Sequence, residues 1–371
     1  MRNIIFIFSF LLSSHSMAQF DFNRINLNGF GTFSFSRSTS DKEYVAYAGR
    51  VKNKNNFVAG SRAGLTLNKR FDDHWDFTLQ FLAKPDRDGE LSPQVDLFQL
   101  TWTPYSMLSI RTGRVRMPLW MISEYYEVGA LIPWIRPPDE VYASLPLEEL
   151  NGASVNYKME KGAILAEFDL YGGAGNMNTD GASSIRGELN NAIGASFSLG
   201  HDLLSLRVSY LQGTYTADVY TDAISASSTP GTSIVTNTRS SLDLGHTYFL
   251  SLGLKSEIEN LLIMSEYAKW KSSASILREN QAYYILAGYY FLEKKLLMNF
   301  TYSALTKLDS QINFYSGRQK SKTIGANYHV NSNIVLKLQD KIISPEGVTF
   351  FESDPGRSDI HIYEFAVDFV F

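Results

Sequence analysis

The sequence predicts an all-β chain: a transmembrane antiparallel β-barrel of about sixteen strands with an infolded constriction loop. Three observations carry that expectation. Short segments along the whole chain alternate apolar and polar residues with period two, the signature of half-buried strands. The connections between them alternate short and long, as in barrels with tight turns on one side of a membrane and long loops on the other. The closing segment places Tyr363, Phe365, Val367, Phe369 and Phe371 on one face, with Glu364, Ala366 and Asp368 between them. Such a strand suits lipid on one side and a wet lumen on the other.

The N-terminus reads as a secretory signal over residues 1–18. Met1-Arg2-Asn3 is its short positive region, Ile4 to Leu12 its apolar run, and Ser16-Met17-Ala18 the small residues before a cleavage ahead of Gln19. Residues 19–371 then form the barrel domain. No later stretch is apolar over the roughly 18 residues that a spanning helix needs, so insertion has to use strands, whose backbone groups pair with one another. The chain has no Cys, and its 21 Tyr, 24 Phe and 26 Gly suit strands flanked by aromatic girdles. A net charge of −4 without a basic stripe argues against nucleic acid as a partner.

The strands are expected near 25–36, 57–69, 74–84, 94–103, 107–114, 151–159, 163–171, 190–199, 203–213, 241–255, 260–271, 280–291, 295–304, 321–330, 333–342 and 360–371. The cleanest is Trp75 to Phe81, with Trp75, Phe77, Leu79 and Phe81 on one face and Asp76, Thr78 and Gln80 on the other. Tyr44 to Ala48 is a further strand-like stretch. Short turns include Phe71-Asp72-Asp73, Glu160-Lys161-Gly162 and Asn331-Ser332-Asn333, whereas long connections include 37–56, 115–150 and 214–240. An even strand count returns the C-terminus beside the first strand. Sixteen strands enclose a lumen too wide for side chains alone to fill, so it holds water unless a segment blocks it. Gln19 to Arg24 is too short to be a plug.

The connection 115–150 differs from the rest. Thr221 to Asn237 is rich in Ser, Thr and Asn and reads as a mobile surface loop. Residues 115–150 hold Trp120, Trp134, Tyr125, Tyr126, Tyr142 and many aliphatics, which belong in a packed setting. Folded against the inner wall, this loop would bury its apolar residues and turn its charged ones to the pore.

Alternation assigns Arg62, Arg111, Lys158, Arg207, Lys337 and Lys341 to the lumen, along with Asp76, Glu167, Asp169, Glu266, Glu364 and Asp368. A cation facing lipid near mid-bilayer costs about 2–4 kcal/mol, and one in a wet lumen little. Arg111, Arg114 and Arg116 cluster at the loop's entrance. Arg114 is out of phase with Arg111 unless Gly113 marks a bulge or the strand has already left the lipid zone. Arg136 lies in the loop, where Glu124, Glu127, Asp139 and Glu140 supply opposing charge. Facing sets of this kind give a transverse field and filter solutes by charge; the same groups paired with one another would instead anchor the loop.

Nothing points to catalysis. The six His show no metal-ligand spacing, and neither a nucleophile elbow nor a phosphate loop occurs. No cofactor is expected.

The passage Ile110-Arg111-Thr112-Gly113-Arg114-Val115-Arg116-Met117-Pro118 resembles the strand-to-inner-loop passage of the phosphate-selective O/P-like porins and related anion or dicarboxylate channels. The closing strand is similar to the aromatic-ended signal read by the barrel assembly machinery. The resemblance is to trimeric porins of Gram-negative outer membranes. It implies a homotrimer among outer-membrane lipid and lipopolysaccharide, passing small hydrophilic solutes passively, with Arg111, Arg114 and Arg116 as pore-side cations and Arg136 in the inner loop. The acidic content of the loop departs from a phosphate-specific pattern, so the expectation is a general or mildly anion-preferring channel. The alternatives are a channel for hydrophobic or aromatic compounds and a structural or adhesin barrel without an open pore.

Overall fold

A computed structural model describes residues 25–371, apart from 47–48, 87–88, 144, 146, 148, 180–184, 227–232, 274–276 and 311–316. The signal segment expected over 1–18 lies outside the described residues. The strands are β1 (Ile25–Ser38), β2 (Tyr44–Ala46), β3 (Gly49–Val51), β4 (Arg62–Arg70), β5 (Trp75–Pro85), β6 (Leu91–Tyr105), β7 (Leu108–Arg116), β8 (Glu149–Lys161), β9 (Ile164–Thr179), β10 (Ile185–His201), β11 (Leu204–Ala226), β12 (Ser233–Ile258), β13 (Leu261–Ser272), β14 (Leu277–Phe291), β15 (Leu296–Ser310), β16 (Gly317–His329), β17 (Ile334–Gly347) and β18 (Ile360–Val370). All but β2 and β3 form one closed antiparallel barrel in which β1 pairs with both β4 and β18. That makes the expected sixteen strands. Closure removes the free edges that an open sheet would leave.

The seam is well defined. Phe30 pairs with Val370 and Ser38 with Ile362. Beyond the last ladder pair, Gly29 and Phe371 exchange two backbone hydrogen bonds of 2.9 Å. The alternation read from the closing strand is the one observed: Ile362, Glu364, Ala366 and Asp368 are buried inside, while Tyr363, Phe369 and Phe371 are exposed outside. The rings of Phe371 and Phe369 lie over Gly29 and Gly31, where a β-carbon would clash. Those glycines therefore seat the chain's own aromatics, which fill the notch that a close neighbour would need.

Three expectations change. Residues 57–61 are not strand; Asn56 bridges back to Ser36, and the barrel strand starts at Arg62. Tyr44 to Ala48 adds nothing to the barrel, because Tyr44–Ala46 pairs with Gly49–Val51 in a separate hairpin. The stretch expected as a loop over 214–240 is mostly paired strand, with β11 and β12 continuing in register out to Ala226 and Ser233. Its Thr, Val and Ile content favours strand over coil.

Candidate functional site

From Met117 the chain leaves the top of β7, and the described residues of this connection fold into the lumen, held by inward-facing side chains of the barrel. The segment begins along β11 to β13. Ser209 donates to the Pro118 carbonyl at 2.8 Å, and Ser251 to that of Leu119. Arg207 donates to the Trp120 carbonyl, and the Met121 amide donates to Glu266 at 2.6 Å. Trp120 packs edge-on against Phe249, ring centres 4.9 Å apart. A 3-10 turn, Ser123–Tyr125, follows.

By Glu127 the chain has reached the other side. The Glu127 carboxylate accepts from Lys84 of β5 at 2.9 Å, and its carbonyl accepts from Arg62 of β4 at 2.7 Å. In the ring of strands, β5 and β13 are eight positions apart and so face each other across the lumen. Six residues extend at most about 20 Å; the long Glu266, Glu127 and Lys84 side chains cover the remainder. The loop therefore bridges the barrel's diameter.

The return leg fills one half of the lumen. Lys337 donates to the carbonyls of Gly129, Ile132 and Trp134 at 2.6, 2.8 and 3.0 Å, and is 2.8 Å from Asp368. Asn299 and Asn327 donate to the Pro133 carbonyl. The Trp134 indole donates to Thr301 at 2.8 Å. Arg136 meets Glu364 at 2.7 Å, with both side chains almost wholly buried. Beside the helical turn Asp139–Tyr142, Lys341 meets Asp139 at 2.6 Å, while Ser303, Gln319 and Ser321 donate to Glu140. Tyr142 closes the leg by donating to Glu266, the residue that also holds Met121. The Gly129, Ile132, Pro133 and Trp134 carbonyls and the Asp139 and Glu140 carboxylates thus find partners on the wall, as the low-dielectric setting demands, whereas Arg136 rests on its ion pair with Glu364, its nitrogens making no hydrogen bond among the described residues.

Packing adds to this. Met117, Leu119, Trp120, Ile122, Ile132, Trp134, Val141, Tyr142, Leu145 and Leu147 join inward residues such as Phe249, Tyr284, Leu286 and Leu297 in one apolar cluster. The small hairpin supports it from above, Tyr44 donating to Asp139 at 3.1 Å and accepting from Lys341 at 3.2 Å. A cavity of about 10 Å³, room for one water, remains among Arg116, Trp120, Tyr126 and Tyr142.

The wall opposite this filled half stays wetter. The inward positions Gln99, Thr101, Ser109, Arg111, Asn156, Lys158 and Glu167 on β6 to β9 are only half-buried. On the loop side this space is bordered by Glu124, whose side chain is 53% exposed and whose carboxylate is paired in bidentate fashion with Arg207 at 2.8 and 3.0 Å.

The sequence-derived residues separate into groups. Arg62, Glu127, Arg136, Asp139 and Glu140 are buried and paired into the loop–wall contact. This departs from the expectation that the loop turns its charges to the pore, because the inward face of the barrel supplies partners where the loop's outer side does not. Burial pushes the Glu127 carboxyl up, but Lys84 and Arg62 outweigh it and hold it below the ordinary range. Arg114 and Arg116 both engage Glu149, Arg114 donates to the Asp96 carbonyl, and Arg116 pairs with the buried Asp96 carboxylate. Gly113 has φ +116°, but both ladders run through it without a register shift, so it is not the bulge that the phase of Arg111 and Arg114 suggested. Glu124 and Arg207 border the wetter half. Arg111 points into it and makes no hydrogen bond or ion pair among the described residues; its charge acts on Asp169. Lys158 lies on the same wall near the short-turn end, paired with Glu160 at 2.8 Å and not brought to the loop.

Lys84, Asp96, Glu149 and Tyr44 were not singled out from the sequence. Lys84 is in phase with the inward Gln80 and Leu82 and was findable by the same alternation. Asp96 sits at a register shift between β5 and β6, which hides its phase.

No family model matches the chain, and no characterised protein matches it in sequence. Solved structures do. It is similar to OmpF of Salmonella typhi, determined with daunomycin, at 14% identity and a TM-score of 0.58 over 94% of this chain and 97% of that one. The outer membrane channel DcaP of Acinetobacter baumannii gives 11% identity and 0.58 over 95% and 99%. The anion-selective porin from Comamonas acidovorans gives 10% and 0.57 over 94% and 99%. The likeness is one of fold: a sixteen-stranded barrel resembling the structures of outer-membrane porins.

Proposed function

We propose that this chain is a passive, non-catalytic diffusion channel of a Gram-negative outer membrane, passing small hydrophilic solutes. The observation that carries the reading is the loop that bridges the diameter from Glu266 to Lys84 and packs into one half of the lumen. An off-centre aperture then runs along β6 to β11, between Glu124 and Tyr125 on the loop and Arg111, Asn156, Asp169 and Arg207 on the wall. A polar wall of mixed sign admits small hydrated solutes and rejects bulky or apolar ones. Arg111, lacking an ion-pair partner, tips the balance mildly towards anions. Glu124, Asp169 and Glu167 oppose strict phosphate selectivity. Assembly as a homotrimer goes with this reading.

Single-channel recording in planar bilayers tests it. Stable, non-energised conductance is expected, and its absence would sink the channel reading. In a salt gradient, Arg111→Ala should move the reversal potential towards cation preference, because Arg111 makes no hydrogen bond or ion pair among the described residues that its loss would break. The thickness of the apolar cluster around Trp120 and Trp134 favours a second reading, a structural barrel shut by its own loop. A folded, bilayer-inserted but silent barrel would support it.

A further inference from the structure

We propose that Asp96 and Glu149 share a single proton at neutral pH, and that this proton keeps Arg116 on the inner loop. The pair lies at the loop's root, where β7 ends and β8 begins. The inference rests on the folded loop alone and holds whether or not the barrel conducts.

Asp96 is placed by an irregularity. β5 and β6 stay in register up to Gln80, which faces Leu97; the next pair is Phe81 with Val95, so Asp96 is the extra residue. It is wholly buried. Its Oδ2 accepts from Gln80 on β5 at 2.7 Å and from Arg116 on β7. Glu149, the first residue of β8, is the register partner of Arg116. Its Oε2 accepts from Arg114 at 3.3 Å, and its Oε1 is 3.8 Å from the same Arg116 nitrogen that meets Asp96. That nitrogen draws the two carboxyl groups together, within hydrogen-bonding reach of each other.

Each carboxyl then has one oxygen left over. Oδ1 of Asp96 and Oε1 of Glu149 are shut off from solvent and have no hydrogen-bond partner among the described residues. An ionised carboxyl oxygen only accepts, so two carboxylates in contact cannot bond to each other. One proton turns that repulsion into a hydrogen bond and takes up no space. Two carboxyls crowded into one site retain a proton for this reason and titrate as a pair. The charges around them are Arg114 and Arg116 on β7, Lys84 on β5 and Glu127 on the loop. Lys84 is committed to Glu127 at 2.9 Å. Arg114 is 32% exposed, so solvent screens it. Arg116, 13% exposed, is the cation that faces the pair from within, and it balances one carboxylate.

Arg116 also connects the pair to the loop. It donates to the Ser123 carbonyl at 3.4 Å, and the Ser123 hydroxyl accepts from the Trp120 amide at 2.8 Å. Ser123 opens the 3-10 turn and precedes Glu124, at the edge of the wetter half. With the proton in place, Arg116 serves one negative charge and the turn together. Loss of the proton adds a second negative charge, which draws the guanidinium off the Ser123 carbonyl. The docked loop holds a proton that solvated carboxyls have released by about pH 5, so docking of the first leg weakens as pH rises through the titration of the pair.

Infrared difference spectra of the folded full-length barrel in detergent at about pH 7, where solvated Asp and Glu are ionised, test the shared proton. Asp96→Asn, Glu149→Gln and Glu149→Asp are each compared with the wild type; the last keeps the charge but withdraws the carboxyl by one methylene. Each should lose the same deuterium-sensitive carbonyl band of a protonated carboxyl, and where one variant folds poorly the other two still decide. A spectrum unchanged in every folded variant overturns the proposal. So does a band lost on substitution of one partner and kept on substitution of the other, which marks a solitary buried acid. Limited proteolysis of residues 117–126 reads the link to the loop. In the wild type, each pH unit past the loss of the band should speed cleavage by up to about tenfold. Asp96→Asn, whose amide donates to Glu149 at every pH, should show a flat profile. Equal pH profiles for the two refute the link between the proton and the loop.

Discussion

Replacing Arg136 with Ala should release the return leg of the inner loop while the barrel stays folded. Arg136 is 2.7 Å from Glu364, and the two side chains are 1% and 0% exposed. Without the guanidinium, Glu364 keeps only the amide of Gln339 at 2.9 Å. Lys341 is committed to Asp139 at 2.6 Å. A buried carboxylate stripped of its partner costs about 3–5 kcal/mol, which lowers the docked-to-undocked ratio of the leg roughly 10²- to 10⁴-fold. The barrel's own ladders, including the β1–β18 seam, do not depend on this pair. Limited proteolysis across residues 129–142 should therefore speed up by a comparable factor, and single-channel records should gain flickering to a larger conductance. Arg136→Met with Glu364→Gln removes both charges together and should recover most of the protection, giving a positive coupling in a double-mutant cycle. If Arg136→Ala is as protease-resistant and as quiet as the wild type, or if the cycle shows no coupling, the ion pair does not hold the loop.

Two other outcomes follow from the same geometry. Gly113→Ala places a β-carbon against the carbonyl oxygen of Phe98 at a backbone φ of +116°; a loss of about 1–3 kcal/mol is expected, seen as a reduced folded fraction in a heat-modifiability gel. Acid should loosen the loop through Glu127. Its carboxyl is held below the ordinary value of 4.5, so its contribution is complete above 4.5 and is lost as pH falls through the lower folded-state value. Proteolysis of 123–131 should accelerate over that acid window in the wild type, and Glu127→Gln should show a flatter profile; parallel profiles would refute the assignment.

The strand frame was legible because it depends on a local property. A period of two survives in single segments such as Trp75 to Phe81, and the energetic difference between a charge facing lipid and one facing water enforces it strand by strand. Arg62, Arg207, Lys337, Lys341 and Glu364 were assigned inward on that basis, and all are buried inside. The failures lie where local pattern and outcome part. Residues 57–61 keep an alternating look but are taken out of the ladder by the bridge from Asn56 to Ser36. The outer parts of β11 and β12 lack apolar alternation because they extend beyond the long connection's predicted start, where both faces follow different rules from those of the lipid-facing band.

Whether a charged residue anchors the loop or filters solutes is not a local property at all. Arg111 and Arg207 have similar sequence settings, each an inward arginine that follows an aliphatic residue, Ile110 in one case and Leu206 in the other. They differ in their partners, and those partners are far away in the chain. Arg207 is met by Glu124 and the Trp120 carbonyl because the loop's first leg runs along β11. Arg111 lies on β7, the strand from which the loop departs towards the opposite wall, so no loop carboxylate comes back to it. The loop's path across the diameter thus decides which lumen charges are spent on holding the loop and which stay open to solute. A charge's role can be read from the ring position of its strand relative to β5 and β13. The inward cations Arg62 on β4, Lys84 on β5 and Lys337 and Lys341 on β17 belong to the anchor, whereas Arg111 on β7 and Lys158 on β8 face the aperture. Moving the free charge to the anchoring side would therefore abolish its effect on selectivity, even though its sequence surroundings would look the same.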